Sequence, residues 1–187
     1  MKPKRTPKIL MLTAVACAIF SIHANAQTAS TGNPKKGDVI TGTAEVTDGD
    51  TIKVNGVKIR FFGIDAPESA QWCYHIRTEQ AITVPWRCGI YAKEALSRKT
   101  IGQPVSCTVK DIDTYKRAVS VCSVGTTDLN AWMVENGYAV AYVQYSGNYM
   151  DNEARARNAS RGIWASQFLA PWDYRKSIKS TATQAKP

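Results

Sequence analysis

Histidine is almost missing from this chain. Two occur in 187 residues, His23 and His75. No G-x-S-x-G or similar nucleophile motif accompanies His75, so a Ser-His-Asp triad has no support. Histidine-rich metal centres are excluded on the same ground. No C-x-x-C pair occurs, which leaves a zinc site without its usual framework. No internal repeat divides the chain, and its length suits one domain. Apolar residues form one long run, Ile9 to Ile22, too short for a comfortable membrane span. The chemistry left over belongs to carboxylates, arginines and a hard cation.

That apolar run follows Lys2, Lys4, Arg5 and Lys8 and precedes Ala24-Asn25-Ala26, a small-x-small cleavage site. Residues 1–26 therefore read as a secretory signal peptide, cleaved after Ala26. Cys17 invites a lipoprotein reading, but Ala14-Val15-Ala16 before it lacks the leucine expected there. The expected location is secreted or periplasmic, with no stable membrane association after cleavage. Loss of the four leader cations lowers the formal net charge from +9 to +5, compatible with a polyanionic partner. Cys73, Cys88, Cys107 and Cys122 remain, an even number in an exported chain, which favours disulfides. Three connectivities are open, and the preferred one is Cys73–Cys88 with Cys107–Cys122. The first closes a local loop; the second would cross a hairpin.

The densest chemistry lies in residues 46–68, V-T-D-G-D-T-I-K-V-N-G-V-K-I-R-F-F-G-I-D-A-P-E. Asn55-Gly56 predicts a type I′ hairpin between Thr51–Val54 and Val57–Ile64. Folding back gathers Asp48, Asp50, Asp65 and Glu68 toward Arg60. Carboxylates placed together repel unless a cation or shared proton relieves them. The bland alternative is acidic turn formers on a solvated surface.

Around this stretch, residues 27–37 read as a flexible lead-in and Val39–Val46 as a first strand. Residues 69–87 show no clean period and read as an ordered insert stapled by Cys73–Cys88. Gly89–Ile101 is expected to be helical, with Ala92, Ala95, Leu96 and Lys99 on one face. Val105–Lys110 and Ala118–Val124 form a second hairpin around D-I-D-T-Y-K-R, with Cys107 and Cys122 equidistant from its turn. Asp128 caps a helix over 129–136 that Gly137 stops. Tyr138–Tyr145 is a linking extended segment. Asn152–Ser160 is a third helix ended by Gly162, with Arg155, Arg157 and Arg161 on its solvated face. Trp164, Trp172 and Tyr174 read as a tail packed back on the body. The domain spans 38–175, and 176–187 reads as a disordered tail. The fold class is α+β, a five-stranded OB-fold barrel with three helices.

D-G-D-T, I-R-F-F-G-I-D-A-P-E, D-x-Y-x-R and E-A-R-x-x-x-x-G-I-W, in this order and spacing, resemble the staphylococcal nuclease family from about Val39 to Trp164. That family's OB barrel with three helices agrees with the count above. The resemblance implies calcium ligands at Asp50, Asp65 and the backbone carbonyl of Ala66, where many members carry threonine. It implies phosphate-binding arginines at Arg60 and Arg117, a general base at Glu68, support of the calcium site by Asp48, and Tyr115 beside the bound nucleotide. The implied function is calcium-dependent hydrolysis of DNA and/or RNA by an exported monomer with little sequence specificity. Rival readings are a non-catalytic OB-fold nucleic-acid-binding module and a secreted oligosaccharide binder. The first would dispense with the acids and arginines present here, and the second leaves the arginines unexplained.

Overall fold

The computed structural model describes residues 33–77 and 82–184. The expected signal peptide and most of the lead-in lie outside them. Among the described residues the strands are β1 (Val39–Asp48), β2 (Thr51–Val54), β3 (Val57–Phe61), β4 (Ile64–Asp65), β5 (Cys73–Arg77), β6 (Ile82–Trp86), β7 (Pro104–Ile112), β8 (Ala118–Val124), β9 (Thr127–Asp128) and β10 (Val140–Ala141). The helices are α1 (Cys88–Thr100), α2 (Leu129–Glu135), α3 (Met150–Asn158) and α4 (Pro171–Gln184), with a 3-10 turn at Gly162–Ala165.

β1 lies at the centre, antiparallel to β2 on one side and to β7 on the other. β2 and β3 form the expected hairpin, pairing Val54 with Val57 and Thr51 with Arg60. Asn55 and Gly56 both take positive φ, 50° and 82°, as a type I′ turn requires. β7 and β8 pair with Cys107 opposite Cys122, and the two cysteines are bonded, their Cα atoms 4.0 Å apart. β3 then pairs in parallel with β8, Ile59 opposite Ala118. That last pairing closes five strands into the barrel and leaves no long edge open. The interior follows the alternation of the strands: Ile52 and Val54, Ile59 and Phe61, Val105 and Val109 are buried, joined by Leu96 and Met133 from the helices. Asp128 caps α2 by accepting from the Ala131 N–H at 2.9 Å.

Three stretches differ from the sequence reading. The strand expected over 57–64 breaks at Phe62-Gly63. Gly63 takes φ +70° and a Cβ there would meet Ser146 and Tyr149 at 3.1 Å, so glycine alone suits this bend. The bend redirects β4 to pair with β10, Asp65 opposite Val140. The insert contains a two-stranded ribbon, β5 with β6, tied at its base by the Cys73–Cys88 bond. Its residues 83–85 are exposed, so no buried face imposed an alternation on the sequence. Finally, 176–184 is helical rather than a frayed tail, as the outer part of a fourth helix. Pro171 starts that helix at the position where its missing N–H costs nothing. Among the described residues, no helix is long and apolar enough to cross a membrane.

Candidate active site

The Asp48-Gly49-Asp50 corner joins β1 to β2. A Cβ on Gly49 would sit 2.8 Å from the Ala66 side chain and 2.9 Å from that of Ala92. The glycine lets this corner lie flat against Ala66 and α1, and so brings Asp50 to the chain around Asp65. Asp50, 3% exposed, accepts from Thr51 Oγ1 at 2.8 Å, Arg60 Nη1 at 3.0 Å and the Ala66 N–H at 3.0 Å. Arg60 follows the buried Ile59 on β3, so the pleat turns it away from the barrel interior. Its second nitrogen, Nη2, donates to Asp65 Oδ1 at 2.5 Å. One guanidinium thus bridges two buried carboxylates. Burial works against the charge of Arg60, but Asp50 and Asp65 outweigh it and raise its pKa above the ordinary value.

Glu68 is held through its backbone. Its carbonyl accepts from the Gln71 N–H at 2.7 Å, and a Cβ on Gly89 would come within 1.7 Å of the same oxygen. The first turn of α1, fixed by the Cys73–Cys88 bond, therefore seats directly on Glu68. Asp48 accepts from the Gly49 N–H at 3.0 Å and Ser69 Oγ at 3.1 Å. Burial, and after it the charge of Asp50, push the Asp48 carboxyl up to about 6.

Arg175 reaches this cluster from α4. Its Nη2 donates to Asp65 Oδ2 at 2.8 Å, and its Nη1 to Glu68 Oε1 at 2.7 Å and Asp65 Oδ1 at 3.1 Å. Sequence reasoning missed this residue. Residues 46–68 carry Lys53, Lys58 and Arg60 against their four acids, so their charge balance gave no signal for a further arginine.

Arg117 lies on a different wall. It donates through Nε to Asp113 Oδ2 at 2.7 Å, and its guanidinium lies 5.5 Å from the Tyr115 ring centre. Burial alone would raise Asp113, but hydrogen bonds from the backbone and side chain of Arg117 hold it below the usual carboxylate range. Asp48, Asp50, Arg60, Glu68, Arg117 and Tyr115 all line one cleft of about 800 Å³. The structure therefore brings Asp50, Arg60, Asp65 and Glu68 into one hydrogen-bonded set, with Ala66 touching Asp50. Arg117 and Tyr115 face the same cleft from the β7–β8 turn without contacting that set. His75 stands apart, its Nδ1 within 3.0 Å of Ser166 Oγ.

The residues suit a hard divalent cation. Counted as ionised, Asp48, Asp50, Asp65 and Glu68 have Arg60 and Arg175 as their ion-pair partners among the described residues, while Arg117 is matched by Asp113. Two negative charges remain, which a divalent ion would neutralise. Among the described residues no three His, Cys, Asp or Glu side chains form a preformed cage. Two carboxylates and a carbonyl would leave most of a six- to eight-ligand shell to water and substrate oxygens.

Residues 58–166 match the family described as staphylococcal nuclease homologue. The chain belongs to that family. Its relatives include a succinoglycan biosynthesis protein, ExoI, from Rhizobium meliloti (strain 1021), 33% identical over 131 residues, covering 68% of this chain and 66% of that one. A micrococcal nuclease of Shigella flexneri is 29% identical over 163 residues, covering 78% and 83% of the two chains. An uncharacterized endonuclease of Haemophilus influenzae is 28% identical over 143 residues, covering 72% of each. The staphylococcal nuclease homologue segment takes in Arg60, Asp65, Glu68 and Arg117 and leaves out Asp48, Asp50 and Arg175.

Proposed function

We propose that this protein is an exported, calcium-dependent nuclease that hydrolyses phosphodiester bonds of DNA and/or RNA with little sequence specificity, acting as a monomer. The observation that carries the reading is the cleft, with Asp50, Arg60 and Glu68 on one wall, Asp65 buried behind them on Arg60, and Arg117 with Tyr115 on another wall. Phosphodiester cleavage gathers negative charge on phosphoryl oxygens, and preorganised positive charge is the largest catalytic contribution available. Arg60 and Arg117 offer planar, permanently charged forks to those oxygens. Each is held in orientation by a carboxylate until substrate arrives. Glu68, at the cleft surface, accepts the proton of the attacking water or orients that water. Tyr115, 78% exposed, offers a stacking face to any base, which suits a sequence-tolerant enzyme. Asp50, Asp65 and the Ala66 carbonyl would hold calcium, with Asp48 supporting them. When bound, the ion supplies further positive charge at the phosphoryl group. Two disulfides and the N-terminal leader support export.

The test is incubation with DNA and with RNA, in calcium or in excess chelator, followed on a gel over time. Shortening of either nucleic acid in calcium and its arrest by chelator are expected. Retention of intact nucleic acid by the protein would instead support the non-catalytic binding module.

A further inference from the structure

We infer that Arg175 is a positioning residue of the active site, so that α4 completes the catalytic wall. The inference rests on the nuclease reading above and assigns it a residue outside the family match. One Arg175 nitrogen, Nη1, touches both the carboxylate proposed for calcium and the one proposed as base: Asp65 Oδ1 at 3.1 Å and Glu68 Oε1 at 2.7 Å. The other takes Asp65 Oδ2 at 2.8 Å. A planar fork gripping both groups sets their separation, which a flexible ammonium cannot do. Among the described residues the Glu68 carboxylate has no other hydrogen-bond partner. Without Arg175 its side chain, 32% exposed, is free to change rotamer.

The arm that carries Arg175 is fixed by contacts just before it in the chain. Trp172 stacks on Tyr142 with ring centres 5.2 Å apart. Tyr174 Oη donates to the Ala70 carbonyl at 3.2 Å. Gln71 Nε2 donates to the Leu169 carbonyl at 2.7 Å. Residues next to Glu68 thus hold the start of α4, and α4 holds Glu68. Lys179, one turn further along, lines the same cleft.

Removing Arg175 has two opposed consequences. The local surplus of negative charge grows from two to three, so the cluster attracts a divalent cation more strongly. Glu68 loses its orientation, so turnover falls. A merely structural arginine would weaken both properties together.

The experiment compares wild type, Arg175→Ala and Arg175→Lys, each expressed with its own leader. Calcium affinity is measured by titration calorimetry without substrate, and kcat and KM on a short single-stranded oligonucleotide. For Arg175→Ala, kcat is expected to fall about 10- to 100-fold, as for other residues that orient a catalytic group. KM is expected to stay within about threefold, since the lost interaction is not one of binding. Calcium is expected to bind at least about threefold tighter. Arg175→Lys should recover part of kcat, because lysine meets one carboxylate but not both. Unchanged kcat in Arg175→Ala, or a loss of kcat accompanied by weaker calcium binding, overturns the assignment. If Arg175→Ala does not fold, wild-type kcat in Arg175→Lys overturns it equally. A wild-type protein that binds calcium but cuts nothing rejects the nuclease reading and this role with it.

Discussion

Arg60 and Arg117 are both arginines of one cleft, yet their surroundings differ enough to separate their mutants. Arg60 bridges Asp50 and Asp65, which are 3% and 0% exposed. Removing it leaves the buried Asp50 without a cation and Asp65 with Arg175 alone. Arg60→Ala should therefore lose turnover and also about 3–5 kcal/mol of stability in calcium-free denaturant titration. Added calcium should return part of that stability, because it binds the folded form. Arg117 pairs with Asp113 at a half-exposed turn. Arg117→Ala should unfold within about 1 kcal/mol of wild type while kcat falls roughly 100-fold or more. Equal stability losses in the two mutants would contradict this division. At this scale the sequence was informative where the signal was local. D-G-D-T and the A-P-E corner announced Asp50, Asp65 and Glu68 before any fold was known. Arg175 was invisible because its partners lie more than a hundred residues away, and an isolated arginine after a tryptophan and a tyrosine has no local signature.

The elements that aim these residues divide in the same way. Asn55-Gly56 dictates its hairpin by turn chemistry alone, and the equal spacing of Cys107 and Cys122 from their turn fixed the β7–β8 register. The break at Gly63 and the pairing of β4 with β10 depend on a close approach of Ser146 and Tyr149, which no short window contains. α4 was missed because Ser177 to Gln184 is polar on nearly every side. Such a helix owes its place to the docking of Trp172 and Arg175 rather than to an amphipathic pattern. The join between the insert, α1 and Glu68 gives two predictions. Gly89→Ala forces a methyl against the Glu68 carbonyl and should cost about 2 kcal/mol or more in thermal unfolding, with a loss of turnover. Replacing Cys73 and Cys88 together by serine should cost roughly 3 kcal/mol of stability, the chain-entropy value for a loop of this length. A wild-type melting temperature in either variant would contradict the proposed clamp.

In the whole molecule, a closed barrel supplies rigidity and the elements outside it supply the site's orientation. The α+β class and the five strands of the barrel were legible from alternation and turns; the parallel β3–β8 pairing that closes it was not. The fourth helix was not. Nor was the way the arginines of the cleft are paired: Arg60 and Arg175 with the cluster of four acids, and Arg117 with Asp113. That distribution leaves two negative charges where the proposed reaction needs a divalent ion. It ties the proposed metal dependence to the fold rather than to a motif alone. The most direct measurement is release of soluble nucleotides from DNA and RNA by the protein over time, with millimolar calcium and with excess chelator. The account predicts steady release in calcium and none in chelator. Undiminished release in chelator, or intact nucleic acid in calcium, would contradict it.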